Sequence, residues 1–305
     1  MRLIIGIAAF GGGVWILIES VEALINSLRT WVIAAGLSGV TVGALVLGFD
    51  IESTAAGVAA TLDDLPGTAL GASIGSAIFL LTAGLGIAAL IAPFSLRPPT
   101  TLLLAGGVAT ILAIVLAADG ELSRVDGGLL VASFFPLVAA IYLARPKRDP
   151  FEETSQERPR FLAVRILGGL LGLVLGAELL VFGTARVVSE LGLSETVFGL
   201  LVVAAAVSFE EVVLEALPAY RGFPELSVGN ALGTLVFLLT GSLGVIVLAR
   251  PIKLPATVTD YHLPALAASA LLAGGVLARG RIGRAEGAVL ISAYIAYVAG
   301  AVAVG

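Results

Sequence analysis

Long apolar runs with almost no charge recur along the whole chain and leave few folds open to it. Ten runs approach the ~20 residues that an α-helix needs to cross a hydrocarbon core of about 30 Å. Hydrophobic residues make up 58% of the sequence and charged residues 13%, whereas soluble domains are about half apolar and a quarter charged. Strand-like alternation is absent, and glycine recurs inside the runs, as in helices that pack closely in lipid. The sequence therefore predicts an all-α polytopic membrane protein.

The predicted spans cover residues 3–25, 31–60, 68–92, 101–118, 127–144, 161–183, 192–219, 227–249, 262–279 and 286–304. The first run contains Glu19 and Glu22 and is not followed by a cleavage site and a polar chain, so we interpret it as a span and not as a signal peptide. The longest polar stretch, 145–160, is rich in proline and in both signs of charge, which is typical of a linker. We expect two five-helix halves, 1–144 and 161–305, joined by this linker.

The basic residues predict the orientation in the membrane. Twelve Lys and Arg residues fall on the side of the linker and five on the other side. Because cytoplasmic loops carry the excess of basic residues, we expect an integral protein of the cell membrane with a cytoplasmic linker and both termini outside. Five spans per half is an odd number, so the halves enter the membrane from opposite faces. Similar halves would then be inverted repeats, as in many transporters.

The halves contain a repeat at a constant offset of 158 residues. The segment GASIGSAIF matches GNALGTLVF, and GFDIES matches AVSFEE. Further toward the N-terminus, GLSGVTVG and GLSETVFG match at an offset of 156. Each repeat core, 36–92 and 192–249, is predicted to contain a helix with mid-membrane carboxylates, a turn with proline and a second helix with a glycine-rich start. Proline and glycine free backbone carbonyls, which a membrane tolerates only around a cavity or an ion.

Acidic residues inside these apolar segments require compensation. They are Asp50, Glu52, Glu210, Glu211 and Glu215. A charged side chain at a helix centre costs roughly 2.5–3.5 kcal/mol on insertion scales. No basic residue occurs between Arg29 and Arg97 or between Arg186 and Arg221. Protons, metal ions or basic residues from elsewhere in the fold must therefore neutralise these carboxylates.

Hydroxyl and amide residues lie at helical spacing from these acids. Residues three or four apart share a helix face, as Ser208, Glu211 and Glu215 do. Asp50 and Glu52 are not expected to face the same side of a helix. Such oxygens are the ligands of Ca²⁺, which takes six to eight of them. The sequence has no cysteine and only one histidine, which disfavours a soft transition-metal site. The candidate cation ligands are Asp50, Glu52, Ser53, Ser76, Ser208, Glu210, Glu211, Asn230 and Thr234.

The second repeat, from GLSETVFG through AVSFEE to GNALGTLVF, resembles the α-repeat of the sodium/calcium exchanger superfamily, the cation/calcium antiporters. The family pattern is a Thr-Ser-Leu-Pro-Glu run followed, after a spacer, by Gly-Asn-x-x-Gly-Ser. By this resemblance Ser208 takes the serine position and Glu211 that of the ion-binding glutamate. Asn230 takes the amide position and Thr234 the final serine position.

The first repeat departs from the family pattern. The glutamate position falls on Ser53, with Glu52 one residue earlier, and the asparagine position falls on Ala72. Asp50 takes the serine position, while Ser76 keeps its place. Asp50 and Glu52 together would restore the negative charge of the site.

The resemblance implies a secondary active antiporter and not an enzyme. It would exchange Ca²⁺, or a related cation, for Na⁺ or H⁺ by alternating access, with the first and sixth helices as sliding gates. Its partners would be the lipid bilayer and the transported cations, with no covalent cofactor. A net charge of −5 and scattered basic residues disfavour nucleic-acid binding.

Two alternatives remain at this point. One is a membrane enzyme that acts on lipid phosphate, although phosphoryl chemistry uses Arg or Lys near the phosphate and the repeat helices lack both. The other is a membrane scaffold that does not transport and whose ion site has degenerated, which the missing ligands of the first repeat would suit.

Overall fold

A computed structural model describes residues 2–35, 38–143, 161–190 and 204–304. The helices in these residues are α1 (Arg2–Ala35), α2 (Gly39–Val42, continued by the π-helical turn Gly43–Leu47), α3 (Ile51–Leu62), α4 (Pro66–Ile91), α5 (Thr100–Ala117), α6 (Arg124–Leu143), α7 (Leu162–Glu190), α8 (Ala204–Tyr220), α9 (Pro224–Ala249), α10 (Val258–Arg279) and α11 (Arg284–Val304). Two short strands, β1 (Glu121–Leu122) and β2 (Ile252–Lys253), pair antiparallel between helices. The predicted all-α membrane fold is confirmed.

Nine helical stretches of the described chain are long and apolar enough to cross a membrane. They correspond to nine of the ten predicted spans, and α2 and α3 together form one of them. The remaining prediction, 192–219, lies partly outside the described residues, and its described part is α8.

The predicted boundary between the first two spans is wrong. We predicted an end near residue 25 and a new start near residue 31, on either side of residues 26–30, which are mostly polar. The structure instead continues α1 to Ala35 and starts α2 after Ser38, whose hydroxyl accepts a hydrogen bond from the Thr41 N–H at 3.1 Å. The polar stretch remains helical because Ser27 and Leu28 are buried in the fold.

The two longest helices, α1 and α7, pack antiparallel through small residues. A Cβ atom on Gly13 would lie 2.6 Å from the backbone nitrogen of Leu180, and Gly176 leaves room for Leu17. Both helices lack proline in their described ranges. This close approach is the glycine-mediated packing that the apolar runs predict.

The two halves use the same helix contact twice. Helix α4 packs on α11 where Gly86 meets Gly287, and α9 packs on α6 where Gly244 meets Gly127. A Cβ atom on either Gly86 or Gly244 would lie 2.9 Å from the carbonyl oxygen of the opposing glycine. Gly86 and Gly244 differ by the repeat offset of 158, so the sequence repeat is also a repeat of structure.

The connections between spans gather in two groups, as the alternating topology requires. In one group β1 pairs with β2, and Arg250 forms an ion pair with Asp64 at 2.6 Å. In the other group, Phe94 and Ile282 form a backbone bridge beside Arg97 and Gly280. Between these groups lie α4 and α9, the most buried of the nine spans in the described chain.

Candidate cation-binding site

The first acidic segment lies where the helix is interrupted. Between α2 and α3 the backbone is irregular at Gly48, Phe49 and Asp50. Gly48 permits this path, because a Cβ atom there would lie 2.8 Å from the backbone nitrogen of Thr234 on α9. Asp50 is the N-cap of α3, and its Oδ1 accepts a hydrogen bond from the Ser53 N–H at 2.8 Å. The carboxylate therefore stabilises the start of the helix that carries Glu52 and Ser53.

This interruption corrects one expectation from the sequence. We expected that Asp50 and Glu52 would not face the same side, because residues two apart diverge on a continuous helix. In the structure both line one cavity, since Asp50 has φ −85° and ψ 77° and is outside the helix.

The cavity lies among the repeat helices, and its volume is about 320 Å³. Eight of the nine candidate ligands line it. They are Asp50, Glu52, Ser53, Ser76, Glu210, Glu211, Asn230 and Thr234. The ninth, Ser208, is on α8, but its side chain is outside the part that the structure describes. Both repeats therefore contribute oxygen atoms to one chamber.

Glycine residues let the two repeats pack closely beside the cavity. Gly229 and Gly233 on α9 pack directly on the backbone of α2 at Val40 and Ala44. Asn230 and Thr234 follow these glycines in sequence, and both side chains are almost fully buried at the cavity. The Thr234 hydroxyl donates to Asn230 Oδ1 at 3.4 Å, which is a long hydrogen bond.

The remaining walls are apolar, and the sequence did not predict them. Leu170, Leu173 and Val174 of α7 face the cavity, and Phe49 closes another side. The Phe49 ring lies 5.7 Å from Phe134 and 5.1 Å from Phe237 between ring centroids. Leu170, Leu173 and Val174 lie outside the repeat cores, whereas Phe49 and Phe237 belong to the motifs GFDIES and GNALGTLVF but were not singled out as cavity residues.

Basic residues are absent from the described lining of the cavity. Arg221 pairs with Glu22 and Arg250 with Asp64, beyond the ends of α8 and α9. Among the residues that the structure describes, no three His, Cys, Asp or Glu side chains are grouped so that they could hold a metal ion. A bound cation would therefore need the hydroxyl and amide oxygens as well as the carboxylates.

Glu215, which is not one of the candidate cation ligands, shares a face of α8 with Glu211 by its i,i+4 spacing. It does not line the cavity. Its carboxylate lies against Gly84 of α4. Because α8 packs on α4 at this level, the side chain one turn beyond Glu211 meets a neighbouring helix.

Two structural repeats, an interrupted membrane helix and a buried acidic chamber define the class of membrane cation transporters. The family model described as sodium/calcium exchanger protein matches residues 4–143 and 161–303. The chain belongs to this family and is a membrane cation antiporter.

Individual relatives agree with this membership. A putative antiporter, CaxA of Alkalimonas amylolytica, is 29% identical over 280 residues, which are 86% of this chain and 85% of that protein. An uncharacterized membrane protein of Methanocaldococcus jannaschii is 27% identical over 272 residues, 86% of this chain and 87% of that protein. Among solved structures, the sodium-calcium exchanger NCX_Mj matches with a TM-score of 0.84 at 24% identity, covering 97% of this chain and 98% of that one. At this identity the match shows the shared fold.

Proposed function

We propose that the protein exchanges Ca²⁺, or a related cation, for Na⁺ or H⁺ at the cavity between α2–α3 and α8–α9. The convergence of eight candidate oxygen ligands from both repeats on one cavity supports this proposal most directly. Four of them are carboxylates, and the described lining has no basic side chain to neutralise them. Membership of the sodium/calcium exchanger family and the likeness to NCX_Mj favour these ions.

Electrostatics gives the reason for exchange. An empty cavity with Asp50, Glu52, Glu210 and Glu211 ionised would hold four negative charges in a region where each is costly. A conformational change that moves this cavity from one side of the membrane to the other is therefore favoured only when cations or protons occupy it. Two kinds of cation that compete for the same oxygens are then transported in opposite directions.

The paired helices α1 and α7 are the proposed gate. Helix α7 supplies Leu170, Leu173 and Val174 to the cavity wall, and it packs along α1 through glycine contacts. Movement of this pair along the rest of the fold would change which side of the cavity is open. The glycine contacts join α1 to α7, so the two helices can move as one unit.

We also propose the arrangement in the cell that the sequence predicts. Residues 1–144 and 161–305 form two five-helix halves in the cell membrane, and the linker at 145–160, outside the described residues, is cytoplasmic. The nine candidate ligands act together as the cation site, with Ser208 from α8 completing the second repeat.

Transport by purified protein in liposomes tests this function. Radioactive Ca²⁺ uptake is measured with an outward Na⁺ gradient, with an outward H⁺ gradient, and with no gradient. We expect gradient-driven uptake by the wild type, and for Glu211→Gln an apparent affinity about tenfold or more lower, since hydrogen bonds and contacts to charged groups contribute ~1.5–3 kcal/mol. Glu121→Gln in β1, remote from the cavity, serves as the control and should match the wild type.

The alternatives predict different results in the same preparation. A scaffold with a degenerate site gives no flux with any cation although the protein is folded. A lipid-phosphate enzyme releases phosphate from lipid and shows no gradient-driven uptake. Equal uptake by wild-type protein and Glu211→Gln would contradict the proposed site.

A further inference from the structure

Glu215 is an acidic residue that the proposed cation site does not use. It lies on α8 one turn beyond Glu211, and its side chain is fully buried. Both carboxylate oxygens lack a hydrogen-bond partner among the described residues. An ionised carboxylate in this position would be desolvated with nothing to compensate it, which is among the most costly arrangements in a protein interior.

The fold provides specific room for this carboxylate. Gly84 of α4 lies directly against Glu215, and a Cβ atom on Gly84 would overlap Glu215 Oε2. The carboxylate therefore occupies the space that a larger residue at position 84 would fill. It contacts α4 and is not among the residues that line the cation cavity.

The other half of the molecule makes the corresponding contact without a charge. The repeat offset places Gly57 of α3 at the position of Glu215, and α3 packs on α9 as α8 packs on α4. There an apolar side chain, Ile246, fills the space beside Gly57. The helix contact itself therefore does not require a carboxylate, and its presence in one half needs a separate explanation.

Few charges surround Glu215. Helix α4 has no ionisable side chain, and α9 has only Glu225, in its first turn. On α8 itself, the Glu211 carboxylate interacts electrostatically with Glu215. The ionisable residues of the other packed helices, α1 and α7, whose side chains are described, are Glu19, Glu22, Arg29, Arg165, Glu178 and Arg186.

The basic members of that set have other contacts. Arg29 lies over the Phe223 ring at 5.3 Å, Arg186 lies over the Phe182 ring at 4.1 Å, and Arg165 lines a surface groove with Glu19. Neither oxygen of Glu215 accepts a hydrogen bond from a guanidinium group or from any other described group. The charged group that acts on Glu215 in the described surroundings is the negative carboxylate of Glu211.

A proton is the ligand that fits this pocket. Calcium takes six to eight oxygen ligands, but no described polar atom contacts either oxygen of Glu215. A proton needs a single oxygen and removes the charge completely. We propose that Glu215 is a proton-binding site of this antiporter, separate from the cation cavity and occupied as a neutral carboxylic acid.

This site would couple protons to the transported cation, a role that rests on the proposed function. A cation bound at Glu211 cancels the negative charge that otherwise holds the proton on Glu215, so cation binding favours proton release. By reciprocity, a proton on Glu215 weakens cation binding at Glu211 by the same factor. The pair Glu211 and Glu215 would thus link two ligands through one helical turn.

Infrared spectroscopy of the full-length protein in lipid membranes tests occupancy without transport. At neutral pH and without Ca²⁺, Glu215→Gln should remove a carbonyl-stretch band of a protonated carboxylic acid. The control Glu121→Gln removes a water-exposed carboxylate and should leave that region of the spectrum unchanged. A protonated-carboxyl region that is identical in wild type and Glu215→Gln would overturn the proposal.

Two further measurements keep the result decisive. If Glu215→Gln does not fold, Glu215→Met, an apolar side chain of similar length, takes its place and should lose the same band. Proton release on Ca²⁺ addition, followed with a pH-sensitive dye, should be smaller in the folded variant than in the wild type, and equal release would overturn the coupling. If the wild type transports cations but Glu215→Gln leaves the infrared band unchanged, only the proton site is refuted. If Glu215→Gln loses the band but the wild type shows no cation flux, only the transport proposal is refuted.

Discussion

At the residue scale, Asp50 has two roles that substitution can separate. Its Oδ1 caps α3 through the Ser53 N–H, and its carboxylate also faces the cation cavity. Asparagine is as good an N-cap as aspartate but has no charge, whereas alanine provides neither cap nor charge. The same position can therefore be tested for folding and for binding.

We predict that Asp50→Asn keeps the stability of the wild type but weakens cation binding about tenfold or more. Asp50→Ala should weaken binding similarly and lower the free energy of unfolding by ~1 kcal/mol, the usual cost of a lost N-cap. Thermal unfolding in detergent and calorimetric Ca²⁺ titration measure the two effects. Wild-type affinity in both variants would show that Asp50 only caps the helix.

At the scale of helices, the contact between α2 and α9 holds the two repeats together around the cavity. Gly233 packs on the backbone of Ala44, whereas Gly275 of α10 is exposed and no described atom lies within 4 Å of its Cβ position. This asymmetry provides a matched pair of substitutions in one protein.

We predict that Gly233→Ala destabilises the protein by ~1–3 kcal/mol, because the methyl group forces two helix backbones apart. Gly275→Ala should be neutral or slightly stabilising, since alanine is favoured over glycine in a helix by up to ~1 kcal/mol. Unfolding temperatures of both variants in the same detergent test the prediction, and equal shifts would contradict the described packing. Because Asn230 and Thr234 are on the same helix, Gly233→Ala should also weaken cation binding.

Sequence reasoning identified the helices and the repeat, but it did not predict tertiary placement. Proline after each turn, at Pro66 and Pro224, starts the second helix of each repeat as expected. The interruption at Gly48 was not predicted, because it depends on how closely α9 approaches, and no local pattern reports that distance. The position of Glu215 against α4 was not predicted for the same reason, since it depends on the contact of α8 with α4.

At the scale of the whole molecule, the two groups of connections give the fold two distinct faces. One face contains β1 and β2, and the other contains the bridge between Phe94 and Ile282. The second face is the side of the linker and carries the excess of Lys and Arg, so we predict that it is the cytoplasmic face. An accessibility measurement tests this orientation.

The absence of native cysteine makes that measurement direct, since any introduced cysteine is the only thiol in the chain. We predict that in intact cells a membrane-impermeant maleimide labels Glu121→Cys on the β1 face but not Arg281→Cys on the opposite face. After the membrane is permeabilised both variants should be labelled, because both positions are exposed. The reverse pattern in intact cells would invert the orientation.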